Sequence, residues 1–345
     1  MTSPLVRTRE LRDQFGRVAR DLRVSLTDRC NLRCTYCMPL EGMEWMPREE
    51  TLTDEEVVRL IRIGVEMLGI EQIRFTGGEP LLRRSLEDIA RACSQFSTHS
   101  GAAPRMAITS NGLGLDKRAQ GLFDAGITRA NISLDSLDPK RYAQIARRDR
   151  FYDALKGIEA AQRVGMSPIK INTVAMRGIN ESEVADLLGF CLDHGYHLRF
   201  IEQMPLGPSH GWHRDQLLTE ADLLNLLSDR FDLSPSPAPR GSAPAGLWDV
   251  AASEHHPAGD VGIIASVTDP FCADCDRTRL TADGQVRTCL FARGETDLRG
   301  PLRSGASDEQ IADIWMGATW HKQAGHGMGR PDFRPPERTM SKIGG

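Results

Sequence analysis

Short runs of alternating apolar and polar residues recur along the first two thirds of the chain. Each is followed by a stretch with helical spacing. The runs fall at 22–27, 72–76, 106–110, 130–134, 169–175 and 198–203. Period-two alternation over a short run predicts a strand. Between the first two lies TDEEVVRLIRIGVEMLG, where Thr53 and Glu56 have capping-box spacing, the apolar positions repeat as in a helix, and Gly69 supplies the stop. Similar helices fit at about 84–98, 116–125, 152–165 and 181–194. Strand–helix units in succession predict a parallel sheet with right-handed crossovers. A full (β/α)8 barrel has eight units. Six predict an α/β fold with a partial, open, TIM-like (βα)6 barrel.

In such a barrel the helices cover the outside, so the apolar parity of each strand faces them. That set is Leu22, Val24, Leu26, Ile73, Phe75, Ile132, Leu134, Ile169, Ile171, Leu198 and Phe200. The opposite parity then faces the lumen: Arg23, Ser25 and Thr27; Gln72, Arg74 and Thr76; Thr109 and Asn111; Asn131, Ser133 and Asp135; Lys170 and Asn172; Arg199. A packed barrel lumen is filled by branched apolar side chains. This one is polar on every strand. Arg23, Arg74, Lys170 and Arg199 converge from four strands, and cations removed from water are costly unless paired. Asp135 is the candidate partner for one of them. Internal salt bridges are one reading; a bound polyanion such as a nucleotide triphosphate is the favoured one.

A length of 345 residues allows a large unit plus a smaller one. Residues 1–20 read as an N-terminal extension and 21–233 as the barrel. The stretch SPSPAPRGSAPAG, 234–246, reads as a linker or mobile loop. Residues 247–330 read as a smaller C-terminal region and 331–345 as an extended tail. The net charge of −4 creates no strong field for nucleic acid or anionic lipid. No apolar run is long enough to span a membrane, and the polar start carries no secretory pattern. A cytoplasmic location follows as an expectation, and eight cysteines then point to a reducing compartment and metal binding rather than disulfides. Six of them form two triplets, leaving Cys93 and Cys191 as core thiols.

Cys30, Cys34 and Cys37 are spaced C-x3-C-x2-C in RCNLRCTYCMP, directly after the first strand. Three thiolates so close wrap one soft metal centre from a single loop. Zinc more often takes separated pairs and four ligands. An iron–sulfur cube has four irons, so three local thiolates leave one iron open to a small molecule. GGEP, Gly77 to Pro80, follows the second strand; its glycines permit close backbone approach and Pro80 fixes the exit. The second triplet, Cys272, Cys275 and Cys289, is spaced C-x2-C-x13-C. Its spacing alone fits either zinc or a second open cluster, and His255, His256 and His321 lie well off in sequence. Arg277 and Arg279 alternate just beyond, forming either a solvated basic edge or a pair that stabilises phosphate or an electrophile.

C-x3-C-x2-C with Tyr36 before the last cysteine, and GGEP one strand later, resembles the radical S-adenosylmethionine (SAM) superfamily. RCNLRCTYCMP, RFTGGEPLLRR, SNG, ISLDSLD, RFIEQMPLG, FCADCDRTRLTADG and the terminal Gly344-Gly345 occur in this order. Together they resemble the molybdenum-cofactor biosynthesis protein A family, the GTP 3′,8-cyclases, from about residue 20 to 295 and again at the end of the chain. The resemblance implies two [4Fe-4S] clusters facing one another across the barrel mouth, the second in the smaller C-terminal region. Cys30, Cys34 and Cys37 would hold one, and Cys272, Cys275 and Cys289 the other. It implies SAM beside Tyr36, Gly78, Ser133, Met204 and Arg199, and GTP at Arg23, Arg74, Thr109, Lys170, Arg277, Thr278 and Arg279. Arg277, Arg279, Gly344 and Gly345 are implied to be catalytic.

The implied activity is that of a radical carbon–carbon lyase. A deoxyadenosyl radical from SAM takes the hydrogen at C3′ of GTP, and the carbon radical closes onto C8 of guanine. Implied partners are a flavodoxin- or ferredoxin-type reductant and, downstream, the cyclic pyranopterin monophosphate synthase. No nucleic acid or membrane partner is implied, and the chain would be a monomer or homodimer. One departure stands out. The family commonly has K-x-R where this chain has Gln72-Ile73-Arg74, so one inward cation is lost and Arg84 is the candidate replacement. Two rival readings remain: a radical SAM peptide- or protein-modifying enzyme with an auxiliary cluster, and a non-enzymatic iron–sulfur or zinc-binding scaffold.

Overall fold

The computed structural model describes residues 9–344 apart from 208–211, 329 and 331–332. Strand β1 (Asp21–Ser25) leads through the first cysteine loop to α1 (Asp54–Arg62). The capping box forms: Glu56 N donates to Thr53 Oγ1 at 3.2 Å, and Thr53 N donates to the Glu56 carboxylate at 2.8 Å. The helix runs on as a π segment over Ile63–Met67 before Gly69 turns the chain at φ 78°. Then come β2 (Gln72–Thr76), α2 (Leu86–Cys93), β3 (Arg105–Ser110), α3 (Leu115–Asp124), β4 (Ile127–Ser133), α4 (Pro139–Ala146), α5 (Phe151–Arg163), β5 (Ile169–Ala175), α6 (Val184–His194) and β6 (His197–Glu202). These supply the six expected strands. Helix α4 is an addition, started by Pro139 in its first turn and by the Asp138 carboxylate, which accepts from Arg141 N at 2.7 Å.

Beyond them lie α7 (Glu220–Ser228), β7 (Leu233–Pro235), β8 (Gly246–Val250), β9 (Gly259–Ile264), β10 (Arg277–Leu280), β11 (Gln285–Arg287), β12 (Thr296–Asp297), α8 (Arg299–Arg303), α9 (Asp308–Trp320) and α10 (Met340–Ile343). Among the described residues twelve strands join in one sheet, ordered β12-β11-β10-β1-β2-β3-β4-β5-β6-β9-β8-β7. The C-terminal region gives a parallel strand to each edge of the six, β10 beside β1 and β9 beside β6. Residues 234–246 are a correction to the linker reading. They carry the turn of the antiparallel β7–β8 hairpin, and Arg240 pairs with Asp269 at 3.0 Å. Their Pro, Ser and Gly content is that of a turn. The tail is likewise not extended throughout, since it includes α10.

Strand parity holds. Leu22, Val24, Ile73, Phe75, Ile132, Leu134, Ile171, Leu198 and Phe200 are all buried in one core with the helices. Trp315 of α9 is fully buried in that core, and its Nε1 donates to Thr278 Oγ1 at 3.1 Å. The Thr278 side chain therefore faces α9, which leaves only its main chain for the expected contact with the nucleotide. Alternation along β10 sends its neighbours Arg277 and Arg279 to the opposite face.

Replacing Trp315 by Ala empties the contact between α9 and the sheet and is expected to cost about 3–5 kcal/mol. Thr278→Val leaves only the indole N–H unpaired, and the expected cost is about 1–3 kcal/mol. Chemical denaturation of the two variants checks both magnitudes, and a larger loss for Thr278→Val would contradict this packing.

Candidate functional site

Register aligns the lumen cations. Arg279 on β10 lies beside Arg23 on β1, which lies beside Arg74 on β2. The same row continues through Ala107 on β3 to Arg129 on β4. Two residues earlier along β1, Asp21 sits between Arg277 and Gln72. Among the described residues Arg23 Nε, Arg74 Nε, Arg277 Nε, Asp21 Oδ1 and Asn172 Oδ1 are buried with no hydrogen-bond partner. Arg277 Nε lies 3.9 Å from Asp21 Oδ2, and its guanidinium stacks 4.4 Å from the Phe271 ring centre.

The electrostatics follow from this crowding. Burial, then the guanidiniums of Arg74 and Arg277, push Arg23 well below the usual arginine value. Burial and Arg277 lower Arg279 to about 10. Burial and Arg74 lower Arg199 to about 10, and burial with Arg199 lowers Lys170 to about 8. Burial opposes the charge on Asp21, but Arg23, Arg74, Arg277 and Arg279 outweigh it and hold its carboxyl below the ordinary range. Asp135 does not neutralise an arginine as expected. It accepts from Tyr36 OH at 2.8 Å and from Val174 N at 2.9 Å. Asp21 occupies that role instead. Its signal was its place two residues before Arg23, on the same strand face.

A cavity of ≈ 260 Å³ opens onto these groups. It is lined by Arg23, Tyr36, Arg74, Thr109, Ser133, Arg199, Met204, Arg277 and Arg279, together with Cys272, Cys275 and Cys289. Lys170, Gly78, Gly344 and the first cysteine triplet lie outside this lining. Arg84 is exposed, and its carbonyl accepts from Arg118 Nη2 at 3.2 Å, so it does not replace the missing lysine. Arg129 is a cation beside that position, with Nη2 donating to Gln72 Oε1 at 3.4 Å. His326, which the sequence reading passed over, also lines the cavity. Its Nδ1 accepts from Met328 N at 3.1 Å, and its buried Nε2 has no hydrogen-bond partner among the described residues. Glu202, also passed over, accepts from Val267 N at 2.8 Å and Thr268 N at 3.0 Å, fixing the wall where β6 ends.

The first cysteine loop is held by backbone contacts at two glycine turns. Gly78 N donates to Thr27 O at 2.7 Å, and Glu79 N donates to Arg29 O at 2.7 Å. A Cβ on Gly78 would lie 2.3 Å from Arg29 O, so only glycine fits. A Cβ on Gly207, in the MPLG turn, would lie 2.1 Å from Tyr36 O. Glu79 is fully buried and accepts from Leu81 N, Ser110 Oγ and Asn111 N at 3.0, 2.8 and 2.8 Å. Burial pushes its carboxyl up to about 7 despite these bonds.

Burial also raises the Cys30 thiol to about 11 and the Cys37 thiol to about 12, and lifts Cys34 well above its ordinary value. Such thiols ionise only beside added positive charge, which bound iron supplies. At Cys275 burial is outweighed by Lys322 and Arg277, and its pKa is lowered. Among the described residues no three Cys, His, Asp or Glu side chains close on one point as around a single ion. Thiolates spread about a cube, each on its own iron, do not need to. Both donor sets fit a [4Fe-4S] cluster with one open iron.

The tail reaches the same place. Arg279 Nη1 donates to Gly344 O, and a Cβ on Gly344 would lie 3.0 Å from Ser25 Cβ and 3.1 Å from Thr76 Cγ2. Gly344 thus rests on lumen side chains at φ 88°. Gly345 lies outside the described residues.

A model described as the Radical SAM superfamily matches residues 24–191, and one described as Molybdenum Cofactor Synthesis C matches 196–328. A protein of Corynebacterium glutamicum named GTP 3′,8-cyclase is 56% identical over 338 residues, covering 98% of this chain and 90% of the relative. Proteins of the same name from Mycobacterium marinum and Streptomyces coelicolor are 55% and 54% identical. They cover 97% and 96% of this chain, and 92% and 96% of their own lengths. Among solved structures, Streptococcus suis SuiB bound to S-adenosylmethionine aligns with a TM-score of 0.55 at 15% identity, over 95% of this chain and 72% of that one. That likeness bears on the fold alone. On sequence, with both cysteine triplets at the ends of one cation-lined barrel, the chain belongs to the GTP 3′,8-cyclase family.

Proposed function

We infer that this chain converts GTP to 3′,8-cyclo-7,8-dihydro-GTP by SAM-dependent radical cyclisation, the first step of molybdenum cofactor biosynthesis. The observation that carries this reading is the row Arg279–Arg23–Arg74, whose buried Nε donors on Arg23 and Arg74 have no hydrogen-bond partner among the described residues. A triphosphate brings to that row the charge and acceptors that Asp21 alone does not. When bound, the first cluster and SAM supply the radical that takes the C3′ hydrogen. Tyr36, Ser133, Met204 and Arg199 shape the SAM side, and Gly78 serves it by keeping the cysteine loop close. Thr109 and Lys170 extend the nucleotide side. Arg277 stands beside the second triplet and Arg279 ends the cation row on the same strand, where a guanidinium stabilises charge developing on the base. Gly344 presents its carbonyl to Arg279 and so helps to orient it.

A peptide substrate gives no use for a row of buried guanidiniums. The proposal extends to a flavodoxin- or ferredoxin-type reductant, to the cyclic pyranopterin monophosphate synthase as the consumer of the product, and to a cytoplasmic monomer or homodimer. Among the described residues no helix is long and apolar enough to cross a membrane.

Anaerobic incubation of reconstituted protein with SAM, GTP and dithionite, followed by mass analysis of the nucleotide, tests the reading directly. Arg277→Ala and Arg279→Ala are each expected to lower cyclised product about 10²–10³-fold while abortive 5′-deoxyadenosine persists. Unchanged product in both variants refutes their role. GTP affinity is expected to fall as pH rises through about 8, where Lys170 loses its proton in the free lumen. The triphosphate raises that pKa on binding, so binding takes up a proton above it. Calorimetry in buffers of different ionisation enthalpy measures the uptake, and Lys170→Met should abolish it. Gln72→Lys adds a cation beside Asp21 and is expected to tighten GTP binding by roughly two- to fivefold; a weaker Kd counts against this.

A further inference from the structure

Lys322, just past α9, is 3% exposed. Its Nζ donates to Cys275 O and Arg277 O, both at 2.9 Å, and lies 3.4 Å from Cys275 Sγ. It has no carboxylate partner among the described residues. Two carbonyls solvate a buried ammonium but do not neutralise it, and an uncompensated buried charge is strongly unfavourable. The third contact is the sulfur of a proposed cluster ligand.

Arg17 makes a useful contrast. It grips the same loop through Cys272 O at 2.6 Å and the end of the α9 segment through Gln323 O at 2.6 Å and Ala324 O at 2.9 Å. Its charge is met by Asp13 at 2.6 Å. Arg17 is therefore a clamp on carbonyls with its own counter-ion. Lys322 is a cation that lacks one and is directed at a ligand sulfur.

We propose that Lys322 is a positioning residue for the second cluster, giving a charge-assisted N–H···S hydrogen bond to the Cys275 thiolate that raises the cluster's reduction potential. This rests on the reading that Cys272, Cys275 and Cys289 carry a [4Fe-4S] cluster. Reduction adds one electron, taken from dithionite or a protein reductant, and no proton. The cluster with its thiolates then becomes more negative by one charge. A fixed ammonium at the sulfur stabilises that state more than the oxidised one, so the potential rises. The same Nζ ties Cys275 to the Arg277 carbonyl, which keeps the cluster loop in register with the start of β10.

The test is an EPR-monitored redox titration of the reconstituted full chain, with iron and sulfide counted per chain. Added SAM perturbs the first cluster's signal and so separates the two. Lys322→Met should lower the midpoint potential of the second cluster and leave that of the first unchanged. Lys322→Arg should restore most of the shift. An unmoved second potential in Lys322→Met with full iron content overturns the proposal. If Lys322→Met does not retain the second cluster, Lys322→Gln keeps an N–H donor without the charge, and a wild-type potential in that variant overturns it equally. A wild-type chain holding only about four irons would instead refute the two-cluster reading on which the proposal stands.

Discussion

Positive charge confined within a row of parallel strands governs this structure. The helices demand one apolar parity from every strand, so whatever is polar must turn inward. Here that rule brings Arg279, Arg23 and Arg74 into one register on three adjacent strands. A surface row of this kind would be screened by water and salt. Inside the barrel it meets Asp21 and the carbonyl of Gly344, a partial set of acceptors. The interior is electrostatically complete only with an anion in it. The metal-binding loops gather at the strand ends around that deficit.

The glycine turns show how a signal that looks like a ligand site is also scaffolding. In GGEP and MPLG the missing side chains let backbone reach backbone, against Thr27 to Arg29 in one case and Tyr36 in the other. Both contacts fall on the loop that carries Cys30, Cys34 and Cys37. That loop has little regular structure of its own, and its thiols are placed by the turns that follow β2 and β6. Loss of either glycine moves the cysteines before it moves any ligand.

Much of this was legible in the sequence because parity is a strong constraint. Arg23, Arg74 and Arg199 were readable as inward residues, since each sits in a run whose other positions are apolar. Asp21 obeys the same rule but precedes the run that the apolar residues mark. Asp135 was misjudged because β4 ends at Ser133, and past a strand end alternation no longer fixes direction. Thr278 came with Arg277 and Arg279 from the family resemblance, and alternation sends its side chain the other way, to Trp315. The pairing of β9 with β6 and of β10 with β1 was not readable, because local pattern marks strands without naming their partners. Lys322 and His326 were hidden for the same reason: only the docking of the segment after α9 brings them to the cysteines.

That docking has a consequence for how the molecule is made. In the finished sheet Asp21 is partnered by Arg277, far from it along the chain. On the ribosome, β1 emerges well before β10, and its outer edge stays bare until all the strands and helices between them have been synthesised. Contacts of such long sequence separation close slowly and leave strand edges exposed meanwhile. The first cysteine loop is thus born well before the bore that will shelter it, and oxygen has its best access to those thiols during translation rather than afterwards.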